Sequence, residues 1–229
     1  TDANSAAAIG ITGTTTSVTF DGVTFTENSD GKAVATFKLK NSETKSITGL
    51  PDGMNFNVVE TTSGNMTTTV NGRTTASYDD VISKTRVKTA SYVNTRKTGD
   101  LVISKTVVSD NPADDGLVFT FTVELSVDRQ KLSGTYGGYT FDENGKATIY
   151  LHGGDSVTLT GVPVGADWKV TEATKTETTT DPGYQEGFTT SVSVNGATAT
   201  TTNSGSSTIT DTKSTVAFTN TSETGSLTL

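Results

Sequence analysis

Three residue types occur in an order that permits amide chemistry. Lys105 sits in the apolar run Leu101 to Val108 (LVISKTVV), Glu172 ends Val170-Thr171-Glu172, and Asn220 ends Val216-Ala217-Phe218-Thr219-Asn220. Under the two-residue period of a strand, Leu101, Ile103 and Lys105 share one face. An amine then stands where a strand normally buries aliphatic carbon. An isolated ammonium there is costly, so the lysine must be neutral, paired or covalently consumed. Glu172 and Asn220 are the partners the chain offers. The competing reading is a lysine on the solvent face of an edge strand.

The elements that would position them are strands. Of 229 residues 50 are threonine and 23 glycine, and aromatics make up 7%. So much β-branched polar residue with so few long aliphatics points to thin β structures with polar outer faces. No stretch of about ten residues or more keeps a helical period, and no apolar run approaches the roughly 20 residues of a membrane span. The chain reads as all-β, with no membrane segment in this fragment. The net charge is −8, divided as +1 over residues 1–98 and −9 over residues 99–229. No basic stripe of the kind nucleic acid requires is present. Cysteine is absent, which removes disulfide and thiolate chemistry. A reducing compartment and a surface protein stabilised by other means are both compatible with that absence.

In the first half, residues 1–14 read as loop or frayed edge. Strands are expected at Ser17–Phe20, Val23–Thr26, Ala33–Leu39, Ser46–Thr48, Asn55–Glu60, Met66–Val70, Arg73–Tyr78 and Ala90–Asn94, with Thr95–Asp100 as a polar break. Asn71-Gly72 is the strongest two-residue turn signal. The second half repeats this order. Residues 20–60 lie over residues 136–172 through an aromatic strand, an Asn/Asp-Gly turn, an alternating strand, a Thr-rich strand, a G-[LV]-P-x-G turn and a strand ending in glutamate. Both copies continue to an Asn-Gly tip, Asn71-Gly72 and Asn195-Gly196, and close on Asn-Thr, Asn94-Thr95 and Asn220-Thr221. Repetition of this many features indicates tandem copies of one fold. The expected division is a partial sandwich over 1–98 lacking its opening strands, a complete one over 99–222, and the start of a following repeat over 223–229. That last segment rests on Gly225-Ser226-Leu227-Thr228-Leu229, which parallels Gly99-Asp100-Leu101-Val102-Ile103.

The second copy carries L-x-I-S-K-T-V, F-T-F-T-V-E-L, G-V-P-x-G-A-D-W-K-V-T-E and V-A-F-T-N-T in that order. On these motifs residues 99–222 resemble the isopeptide-forming CnaB-like (Ig-like) domains of Gram-positive pilins and surface adhesins, as in streptococcal major pilins, with a partial match over 16–98. The resemblance implies tandem Ig-like β-sandwiches and a spontaneous bond between the side chains of Lys105 and Asn220, promoted by Glu172. Burial disfavours the charged forms of both Lys105 and Glu172. That leaves an amine able to attack and an acid able to donate a hydrogen bond to the amide oxygen. Proximity removes the entropy of encounter, and ammonia leaves once per domain, so the protein is expected not to be an enzyme. In the first copy Glu60 and Asn94 match Glu172 and Asn220, but no lysine matches Lys105. Asn94 is then expected either to stay unreacted or to be bonded to a lysine on a separate chain, within a strand that completes the first copy.

The resemblance implies a structural shaft or stalk module of an extracellular pilus or cell-wall adhesin, partnered by neighbouring repeats or subunits. The alternative is a module whose loops bind a host protein or glycan. Lys84 and Lys88 precede Asn94 as pilin linking lysines precede a closing strand, and they are candidates for intermolecular linkage. No cofactor or metal is expected: Asp110, Asn111, Asp114 and Asp115 lack an EF-hand register, and His152 stands alone in a His-Gly-Gly turn. Trp168 and Tyr184 are candidates for a sugar-binding surface, with partial core as the competing reading for Trp168.

Overall fold

Alternating residues become a ladder only where a neighbouring strand satisfies the backbone, and the two halves of this chain differ in how often that condition is met. The computed structural model describes residues 5–62, 64–173 and 185–225. Two units are present, Thr1–Thr95 and Arg96–Leu229. Tyr184 and residues 226–229 of the expected third copy lie outside the described residues. Apart from a four-residue helix and a 3-10 turn, every regular element described is a strand, and the fold is all-β.

The first unit opens with helix α1 (Ser5–Ala8). Its strands are β1 (Ser17–Phe20), β2 (Val23–Glu27), β3 (Ala33–Val34), β4 (Asn55–Val59), β5 (Met66–Val70), β6 (Ser77–Val81) and β7 (Tyr92–Arg96). They form three small sheets, β1-β2-β3, β4-β6 and β5-β7. The N-terminal segment departs from the loop or frayed edge expected of it. Ala6, Ile9 and Ile11 are buried against Val18, Phe20, Phe25, Ala33, Leu50 and Met54, because even a short apolar triplet is held when a sheet face is open to it. The sequence also predicts strands at Ala33–Leu39 and Ser46–Thr48, whereas only Ala33–Val34 is strand, and Phe37 and Leu39 are exposed.

The second unit comprises β8 (Thr98–Val108), β9 (Phe119–Val127), β10 (Gln130–Lys131), β11 (Gly134–Tyr136), β12 (Tyr139–Phe141), β13 (Lys146–Leu151), β14 (Ser156–Pro163), β15 (Asp167–Glu172), β16 (Phe188–Val194), β17 (Thr200–Thr201), β18 (Ser204–Thr208) and β19 (Ser214–Ser222). One sheet has the order β14-β8-β19-β16-β17. The other runs β10-β9-β15-β18, with β13 also paired to β9, and β11-β12 is a separate ribbon. The two sheets enclose one core that includes Leu101, Ile103, Phe119, Phe121, Ile149, Trp168, Val170 and Phe218. Trp168 is only 2% exposed, so it is core and presents no sugar-binding face. Residues 98–100, read from sequence as part of a polar break, belong to β8. Gly99 fits there because a Cβ would meet the Thr210 carbonyl oxygen at 2.0 Å.

The repeated turns take matching backbone conformations. Gly49 and Gly161 have φ of 80° and 76°, and Gly53 and Gly165 have 83° and 86°, a region open to glycine at little cost. The Asn-Gly tips are both left-handed at each residue, as a type I′ turn requires, with φ of 50° and 78° at Asn71-Gly72 and 50° and 74° at Asn195-Gly196. Each tip asparagine grips the closing strand: Ser91 N–H donates to Asn71 Oδ1 and Thr215 N–H to Asn195 Oδ1, both at 2.9 Å.

Candidate amide-condensation site between the two sheets

Period two brings Lys105 inward. In β8 the residues Gly99, Leu101, Ile103 and Lys105 are buried in succession, and Lys105 is 1% exposed. The closing strand β19 runs parallel to β8 with Phe218 opposite Lys105 and Asn220 opposite Val107. Ser214, Val216, Phe218 and Asn220 are buried along the same alternation, so the amine and the carboxamide share the inner face of one sheet. Glu172 comes from the facing sheet. It follows buried Trp168 and Val170 along β15, in register with Phe121 of β9.

The three polar groups meet in a closed apolar setting. Lys105 Nζ donates to both Glu172 oxygens at 3.0 Å, and Asn220 Nδ2 donates to Glu172 Oε1 at 2.6 Å. The Phe119 ring centroid is 3.9 Å from Nζ and that of Phe121 is 5.9 Å away. Burial pushes the Lys105 amine down to about 8, against the opposing pull of the Glu172 carboxylate and its hydrogen bond. Asn220 Oδ1 is buried without a hydrogen-bond partner. A lysine on a solvent face is thereby ruled out.

One detail differs from the sequence expectation, in which the Glu172 acid donates to the amide oxygen. The amide nitrogen faces Glu172 here. The Glu172 carboxyl accepts from Lys105 and Asn220 alike. Glu172 therefore touches the proton source and the leaving nitrogen, a position suited to moving protons between them.

In the first unit Asn94 Nδ2 donates to Glu60 Oε1 at 2.6 Å, the same contact as in the second. Thr68 Oγ1 donates to Asn94 Oδ1 at 2.5 Å, while Glu60 Oε2 is buried without a hydrogen-bond partner. Asn94 itself is exposed. Neither Phe119 nor Thr68 was singled out from the sequence. The alternation of F-T-F-T-V-E-L signals that Phe119 and Phe121 share a face; one threonine among 50 carries no such signal.

The remaining candidates are more ordinary. Lys84 is exposed and 3.8 Å from Asp52, whereas Lys88 is held at 2.8 Å by Asp80. That lysine, with Tyr78, keeps the Asp80 carboxyl well below the usual carboxylate range. In the acidic loop Asp114 accepts from Ser109 and Asn111, and His152 Nδ1 lies 3.2 Å from Asp155. Among the described residues no cluster of three or more His, Asp or Glu side chains is arranged for a metal. Nor does any described helix have the length and apolarity to cross a membrane.

Residues 99–222 match a family model described as Domain of unknown function (DUF7601). The chain belongs to that family. No curated protein matches it. Among solved structures it is similar to the major pilin of Streptococcus pyogenes, at 20% identity over 75% of this chain and 70% of that one, with a TM-score of 0.53. A mutant of that pilin gives 18% identity over 85% and 79%, with a TM-score of 0.50. A pilus-presented adhesin, Cpa, is 33% identical over 56% of this chain and 28% of its own length, with a TM-score of 0.44. The chain thus spans under a third of that adhesin. The likeness to the major pilin is one of fold, that of tandem Ig-like, CnaB-like sandwiches.

Proposed function

We propose that this DUF7601 protein is a structural module of an extracellular Gram-positive surface fibre or stalk, hardened by an isopeptide bond between Lys105 and Asn220. The buried contact of Lys105 and Asn220 with one carboxylate, Glu172, carries this reading. Lys105 Nζ gives one proton to Glu172, and the neutral amine adds to Asn220 Cγ as the carbonyl π pair moves onto Oδ1. Return of that pair expels Nδ2, which leaves as ammonia after taking a second proton released by Nζ. The new amide keeps one N–H, and Glu172 relays the protons. Apposition in the core supplies the effective concentration that free amide exchange lacks. The reaction runs once per molecule, so the residues mature a structure and do not turn over a substrate.

The bond would join β8 and β19, the first and last strands of the unit, so tension applied near its ends would pass through covalent links. Neighbouring repeats or subunits of the same fibre are the partners this role requires, and the first unit's open strand edges suit a complementing strand from another chain. Lys84, the exposed one of the pair, is the better placed for linkage between subunits. Intact mass tests the reading. The mature chain is expected about 17 Da below its sequence mass, one ammonia, with the loss mapped to a peptide joining Lys105 to Asn220. A full sequence mass in folded protein would refute it.

A further inference from the structure

Glu172 is the last residue of β15, and the ladders on its two sides do not reach it equally. Toward β9 it stands in register with Phe121, and the Ala173 N–H just beyond donates to the Thr120 carbonyl at 2.8 Å. Toward β18 the register ends one residue earlier, at Thr171 and Ser204. A strand end without a partner opens readily. This one carries the carboxylate that must hold Lys105 and Asn220 at once.

Asn203, half-buried in the link between β17 and β18, closes that gap. Its carbonyl accepts the Glu172 N–H at 2.8 Å, and its side-chain Nδ2 donates to the Glu172 carbonyl at 3.1 Å. In a regular antiparallel pair the second bond comes from the backbone N–H of the opposing residue. Here the chain bends before β18, where the Ser204 N–H turns back to Thr202 Oγ1 at 3.3 Å. The asparagine amide stands in for the missing ladder donor. In the first unit the Glu60 N–H donates to the Ala76 carbonyl at 2.9 Å, and a methyl side chain has no second bond to return.

We infer that Asn203 is a positioning residue for bond formation: it pins both backbone groups of Glu172 and so fixes the carboxylate between the Lys105 amine and the Asn220 amide. This deepens the Lys105–Asn220 reading and rests on it. The bonds from Asn203 run to the Glu172 backbone, so it acts through Glu172 and carries no proton itself. The carboxylate contacts at 2.6 and 3.0 Å tolerate little movement of the strand end, since a misplacement of about 1 Å can cost roughly 100-fold in rate.

The test follows ammonia loss by mass after refolding the full chain. Asn203→Ala keeps the carbonyl and removes the amide; it is expected to slow the reaction roughly tenfold while circular dichroism stays unchanged. Its rate should also begin to fall at a lower pH than in the native chain, because a loosened carboxylate supports the Lys105 proton less. In a Glu172→Gln background the same substitution should alter the residual rate by less than about twofold, since no carboxylate is left to position. Asn203→Asp keeps the size but loses the donor, and it is expected to be as slow as Asn203→Ala, so the result does not hang on the folding of one variant. A native rate in either variant overturns the inference, as does equal slowing with and without Glu172, which would make Asn203 a structural prop. A native chain that keeps its full mass rejects the Lys105–Asn220 bond itself, whereas native ammonia loss at an unchanged rate in the variants rejects only the positioning.

Discussion

Lys105 Nζ stands 3.0 Å from both carboxylate oxygens of Glu172, with the lysine 1% and the glutamate 3% exposed. The pair holds one exchangeable proton that either partner can carry. The reactive arrangement, neutral amine beside protonated acid, has the same proton count as the ion pair. Its population is therefore flat with pH until that proton is lost, near the lowered lysine value of about 8. Bond formation after refolding is expected to be level as pH approaches about 8 from below and to fall about tenfold per pH unit well above that. Ammonia release followed by mass against pH checks this, and a rate that keeps rising above pH 8 contradicts it.

Replacing Glu172 by Gln removes the relay and leaves the packing nearly unchanged. The fold should persist while bond formation slows by roughly 100-fold or more, the range assigned to general acid–base catalysis. What reaction remains depends on free amine, so its rate should rise with pH, opposite in trend to the native chain. Full ammonia loss at native speed in Glu172→Gln would remove Glu172 from the chemistry.

Asn220→Ala leaves Lys105 unlinked, and two stability effects follow. Loss of a link closing a loop of more than 100 residues should cost about 4.7 kcal/mol by chain entropy, lowering Tm by roughly 10–20 °C. Burial also depresses the lysine's folded pKa to about 8 from its usual 10.5. Between those values the unfolded chain binds more protons than the folded one. The variant should therefore gain stability as pH rises from about 8 to 10.5, on the order of 3 kcal/mol in all. Urea unfolding across that window measures the slope. Equal midpoints for native and variant chains would show that no link restrains the native chain.

Lys84 should react with an amine-directed label well before Lys88. The first has a side chain 77% exposed, the second 25% and hydrogen-bonded to Asp80. Labelling followed by peptide mapping reads the order directly. Asp80→Asn should release Lys88 and bring its rate toward that of Lys84, and an unchanged Lys88 rate would mean that the ion pair is not what protects it.

Residues 105, 172 and 220 could be picked out because a strand repeats every two residues. Once Leu101 and Ile103 are placed inward, Lys105 must follow, and the same count carries Val170 to Glu172 and Phe218 to Asn220. The tandem repeat was legible for a similar reason, since its glycines and Asn-Gly tips answer local backbone demands. Pairing was another matter. Ala33–Leu39 and Ser46–Thr48 alternate as strands do, yet only Ala33–Val34 forms ladder, because a strand exists only when a second one takes its hydrogen bonds. The burial of Ile9 and Ile11 likewise depends on which face was left open. At the site itself, residue order could nominate the trio but could not orient the Asn220 amide, set Phe119 over the amine or place Thr68 against Asn94. Those relations join segments far apart in the chain, and only the packing of strands brought from a distance decides them.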